Sequence, residues 1–141
     1  MKLSEIHIRD PFILPFEGKY YLFGSPGKYA WQGAAGFWCH ISEDLKNWSE
    51  PIKCFDIPEG FWATDNFWAP EVHYYNGRFY MFASFIAKGH MRAVQVLASD
   101  RPEGPYEIRN ALYGKRSALY DILPRMGANH GRRNVYAKTF G

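Results

Sequence analysis

The 141-residue chain contains no apolar run near the about 20 residues needed to cross a bilayer, so no helical membrane anchor is expected. Its start, MKLSEIHIRDPF, lacks the apolar segment of a secretory signal, and the expected compartment is the cytoplasm. Cysteine is scarce. Cys39 and Cys54 are the 2 present, and without an export signal they are expected as free, half-buried thiols rather than a disulfide. His7, His40, His73, His90 and His130 show no metal-ligand spacing, which argues against a zinc site. Gly-x-Ser-x-Gly, phosphate-loop and dinucleotide fingerprints are missing, and no amphipathic helical pattern precedes residue 109.

Aromatic residues, by contrast, make up 18% of the chain within a hydrophobic share of 47%. That composition marks one globular domain with a real core. Aromatics at this density suit β-sheets and equally suit sugar-binding surfaces. Charge is uneven. Residues 1–108 carry 10 Lys/Arg and 13 Asp/Glu, whereas residues 109–141 carry 7 Lys/Arg and Asp121 alone, so the net +3 comes from the tail. A basic tail suits nucleic acid, but this one has no recognition motif and reads as solvated charge, so neither nucleic acid nor membrane is an expected partner.

The chain repeats itself. DPFILPFEGKYYLFGS (10–25) sets over APEVHYYNGRFYMFAS (69–84) without a gap at an offset of 59 residues. Pro11, Gly18, Tyr21, Phe23 and Ser25 fall on Pro70, Gly77, Tyr80, Phe82 and Ser84. Asn76-Gly77 between two aromatic and branched runs predicts a two-residue hairpin turn. Each unit continues into another strand and a Ser/Asp turn, in GFWCHISEDLKNW (36–48) and AVQVLASDRPEGPY (93–106). Units of two or more antiparallel strands at this length suit propeller blades; a β-sandwich of the same hairpins is the alternative. A ring takes roughly four blades or more. Two units and a tail fall short, which leaves a fragment, an assembly of several chains, or another fold.

Acids stand at matching places. Asp10 immediately precedes Pro11 and Glu71 immediately follows Pro70, both at the start of the innermost strand of their unit. Strand starts converge on a propeller axis, so both carboxylates are expected to face one pocket, and paired carboxylates in an apolar setting suit acid/base work. A purely structural reading makes Asp10 a turn cap and Glu71 a surface ion pair. Trp62, Phe67 and Trp68 crowd the approach to Glu71 along with Asp65, and Trp31 lies in a Gly-rich connection. Such side chains stack on sugar rings and bond their hydroxyls. His73, two residues after Glu71, points to the same side and is a candidate substrate contact.

IHIRDPFIL, FWAPEVHYYNGRFYMFAS and VLASDRPEGPY together resemble glycoside hydrolase family 43, in the family's order and spacing, over residues 6 to about 108. The resemblance implies an all-β fold: residues 1–108 as two blades of a five-bladed β-propeller, with 109–141 a basic tail of unassigned structure. It implies an inverting hydrolase of arabinose- or xylose-containing polysaccharides or oligosaccharides. Carried over by position, Asp10 is the general base that activates water. Glu71 is the second acid, which raises the pKa of the general acid and orients it; most members carry Asp there. Trp31, Phe67 and Trp68 fall in regions lining the sugar subsite nearest the cleaved bond. No cofactor is implied; the family's structural calcium has no evident site, and its axial metal-associated His, from a later blade, is absent.

An inverting glycosidase also needs a carboxylic acid roughly 6.5–9.5 Å from the base. In the family this Glu lies one repeat after Glu71, near residue 130, where the chain reads RMGANHGRRNVY. No Glu follows Glu107, and Asp121 and His130 lie in no matching motif. The family pattern is expected to end near Arg109, with a replaced or out-of-frame C-terminus beyond it. Two functions stand open. One is a hydrolase whose missing acid comes from a homo-oligomer that completes the propeller; the other is a catalytically silent module that binds sugars.

Overall fold

A computed structural model describes residues 1–26, 36–63, 65–89 and 91–109, with Asp65 and Asn66 in backbone only. A short 3-10 turn, Leu3–Glu5, precedes eight strands: β1 Ile8–Phe16, β2 Lys19–Pro26, β3 Phe37–Ser42, β4 Ile52–Phe55, β5 Asp65–Tyr75, β6 Arg78–Ile86, β7 Ala93–Ser99 and β8 Glu107–Ile108. They form two four-stranded antiparallel sheets, β1-β2-β3-β4 and β5-β6-β7-β8, each in chain order. Consecutive up-and-down strands make a blade; the Greek-key connections usual in a sandwich would interleave the strands of the two sheets.

The repeat survives as register. Phe12 pairs Phe23 and Phe16 pairs Lys19, while Glu71 pairs Phe82 and Tyr75 pairs Arg78, each pair 59 residues after its counterpart. Both ladders break at the same step, between Arg9 and Phe12 and between Trp68 and Glu71. The hairpin tips also match, with φ of 47° and 76° at Glu17-Gly18 and of 48° and 81° at Asn76-Gly77. Positive φ at both central residues belongs to the primed turn whose twist suits a hairpin.

Alternation along the strands decides what is buried. In β6, Phe79, Met81, Ala83 and Phe85 are buried, while Arg78, Tyr80, Phe82, Ser84 and Ile86 are half-buried. The buried row faces the first sheet. Phe85 meets Phe37, Phe55 and Phe67 edge to face at 5.8, 6.1 and 5.1 Å, and Phe16 meets Phe79 at 4.9 Å. Rings at such spacings add about 0.5–1.5 kcal/mol per pair beyond the area they bury. At the rim the two sheets are joined by the Tyr106 N–H, which donates to the Cys54 carbonyl at 2.7 Å. Cys39 and Cys54 are free, and both are fully buried rather than half-buried. Burial pushes both thiols above their ordinary range, so they are inert packing groups. The basic tail lies outside the described residues.

Candidate functional site

The site forms where the first strands of the two sheets start side by side, with β1 and β2 both against β5. Each first strand carries a bulge there. Asp10 in the first and Ala69 in the second take φ of +50° and +48°, a conformation that costs an L-residue about 1–2 kcal/mol. The register keeps the offset of the repeat: the counterpart of Asp10 is Ala69 and that of Glu71 is Phe12, so the two acids flank the matched prolines two positions apart.

Asp10 is held from the neighbouring strand of its own sheet, at the junction with the second sheet. Ser25, on β2, is fully buried, and its hydroxyl donates to Asp10 Oδ2 at 2.6 Å. The same Oγ accepts the Ala69 N–H at 2.7 Å. A hydroxyl bound to a carboxylate belongs to the short, strong class of hydrogen bonds. The bulge thus aims an exposed carboxylate outward while its inner oxygen is fixed.

Glu71 is placed differently. It is the first paired residue after the second bulge, its side chain is 61% exposed, and its Oε2 lies 3.7 Å from His73 Nε2. The His73 ring sits between Phe12 of the first sheet, at 5.6 Å, and Phe82, at 5.9 Å. His73 therefore shares the side of Glu71, as the strand period demands. No hydrogen bond or ion pair joins Asp10 to Glu71 among the described residues.

The aromatic residues divide. Phe67 is a core residue, 7% exposed and edge-on to Phe37 and Phe85, and it packs the blade junction. Trp68 is half-buried, and the Arg92 guanidinium lies 3.7 Å from its ring centroid while donating to Ser84 Oγ at 3.0 Å. One face of Trp68 is thus covered by a cation. Trp62 donates through Nε1 to Gln95 Oε1 at 3.3 Å and lines a shallow groove with Phe61, Glu59 and Ile108. Trp31, the Asp65 side chain, Asp121 and His130 lie outside the described residues.

Sequence reasoning missed Ser25 and Arg92. The signal for Ser25 was its recurrence as Ser84 one repeat later; Arg92 carried none. Among the described residues no three His, Cys, Asp or Glu side chains gather as metal ligands.

Two consecutive four-stranded up-and-down sheets have the plan of propeller blades. The chain belongs to glycosyl hydrolases family 43, whose sequence profile matches residues 3–122 and so runs past Arg109. It is 33% identical over 64 residues to the extracellular endo-α-(1→5)-L-arabinanase 1 of Bacillus subtilis, which is 41% of this chain and 20% of that protein. The endo-arabinase structure from Bacteroides thetaiotaomicron superposes with a TM-score of 0.69 at 31% identity, covering 81% of this chain and 39% of that one. An endo-1,4-β-xylanase structure from the same organism superposes with a TM-score of 0.61 at 32% identity, covering 78% and 36%. The two sheets are accordingly two blades of a five-bladed propeller, and the chain spans well under half the length of these relatives.

Proposed function

We propose that the chain carries part of the active site of an inverting glycoside hydrolase acting on arabinose- or xylose-containing glycans, with Asp10 as the general base. The observation that carries this is the tether of Asp10, whose carboxylate is held by Ser25 at a bulge in an innermost strand. In this reading Asp10 takes a proton from water as the water oxygen attacks the anomeric carbon. The leaving oxygen departs from the opposite face and needs its own proton donor. Glu71, beside His73, orients that donor, and Trp68 contributes to the sugar subsite.

The test is hydrolysis of 4-nitrophenyl arabinofuranosides and xylosides by the full chain. Asp10→Asn should lower kcat by about 10²–10⁴-fold, the range of a lost general base. Retained activity in that variant overturns the role of Asp10. A second reading is a silent sugar-binding segment. It expects no turnover at any concentration, a monomer by light scattering, and tryptophan fluorescence that still responds to arabino- or xylo-oligosaccharides.

A further inference from the structure

We propose that Ser25 is a positioning residue that sets Asp10, in the first blade, against the backbone of the second. The inference deepens the reading of Asp10 as base and, for its catalytic consequence, rests on it. A serine hydroxyl has one proton to give and lone pairs to receive with. Here the O–H is donated to Asp10 Oδ2 within the first blade and the same oxygen accepts the Ala69 N–H of the second, so one buried hydroxyl links the carboxylate to the neighbouring blade. Ala69 stands two residues before Glu71, at the bulge that precedes it. The tether therefore sets the carboxylate of one blade relative to the strand that bears the acid of the next.

The repeat supplies an internal control. Ser84 occupies the same register position as Ser25, but Ala69 stands where its carboxylate partner would be. Its Oγ accepts a hydrogen bond from the Arg92 guanidinium instead, at 3.0 Å. The task of Ser25 is thus specific to the blade with the acid, and is not a general requirement of the bulge. Removing its hydroxyl leaves the Ala69 N–H without its acceptor and frees Asp10 to change rotamer.

The experiment is a double-mutant cycle on the ¹⁵N-labelled full chain, using Asp10→Asn, Ser25→Ala and the pair. Amide exchange at Ala69 should quicken about tenfold in Ser25→Ala, because its acceptor is gone. Asp10→Asn should move the Ala69 amide resonance when Ser25 is present and leave it in place in the Ser25→Ala background. Unchanged exchange, or an equal Asp10→Asn shift in both backgrounds, overturns the tether. If Ser25→Ala does not fold, Ser25→Cys keeps the volume with a weaker donor, and the same two outcomes decide. In the hydrolysis assay Ser25→Ala should lower kcat at a KM within about twofold, as expected when only transition-state alignment is lost. A raised KM at constant kcat overturns positioning. A wild-type chain without turnover removes the hydrolase reading, while the Ala69 amide still decides the tether.

Discussion

The two blades share one backbone plan and carry different chemistry on it. Their hairpins pair in the same register 59 residues apart and bulge at the same step. Yet Asp10 answers to Ala69, Phe12 to Glu71 and Leu14 to His73. The row Phe12, Leu14 and Phe16 of the first blade packs against the second, whereas the same row of the second blade is Glu71, His73 and Tyr75. Repetition thus fixes where a side chain projects. The identity of the residue decides whether that place becomes core or site.

The largest way to break the comparison is to empty the junction. Phe85→Ala removes a fully buried ring that touches both blades and should cost about 3–5 kcal/mol in chemical denaturation. Phe82→Ala, three residues away on the opposite, half-buried row, should cost about 1–2 kcal/mol. Equal costs would mean that the described core does not lie between the blades.

Gly24 and Ala83 share a register position, and the difference is steric. A Cβ at Gly24 would lie 2.7 Å from Ile8 Cδ1 and 2.9 Å from the Arg9 carbonyl, just ahead of the Asp10 bulge. Gly24→Ala should therefore destabilise by about 1–3 kcal/mol. Ala83→Gly should cost only about 0.5–1 kcal/mol. Matching losses in thermal melts would show that the two bulges are built alike.

The hairpin tips offer a smaller exchange. Asn tolerates the left-handed conformation better than Glu, so Glu17→Asn should gain about 0.5 kcal/mol and Asn76→Glu lose as much. Urea midpoints at constant slope would measure both. Opposite signs to these would mean that neighbouring charges outweigh backbone preference.

The smallest effect concerns acid. The Asn47 and Lys46 amides donate to Asp44 Oδ1 and hold its carboxyl well below the ordinary range. A depressed native value stabilises above the unfolded value of about pH 4, and the contribution fades as pH falls below it. Asp44→Asn should flatten the stability curve in that acid window and lower stability near neutrality, where the carboxylate's contribution is fully present. In the second blade the corresponding Ser99-Asp100 turn uses the Ser99 hydroxyl, which accepts the Arg101 N–H at 3.1 Å.

Much of the blade was legible in the residues. Alternating burial, Gly at each hairpin tip and the repeat itself are local signals, carried by neighbours a few positions apart. The burial of Phe67 was not legible for a physical reason: an aromatic beside a candidate acid reads the same whether it faces sugar or core. The strand period turns Phe67 inward toward Phe37 and Phe85 while Trp68 turns the other way, toward Arg92.

By itself the sequence determined the strands, their hairpins, the twofold plan and the family, because periodicity and turn chemistry act over short spans. Only the tertiary structure decided that Ser25 spans to Ala69, 44 residues along the chain, and thereby holds Asp10. It likewise decided that Arg92 covers Trp68. Such contacts depend on how one sheet is laid on the next, and no local pattern of residues encodes that distance.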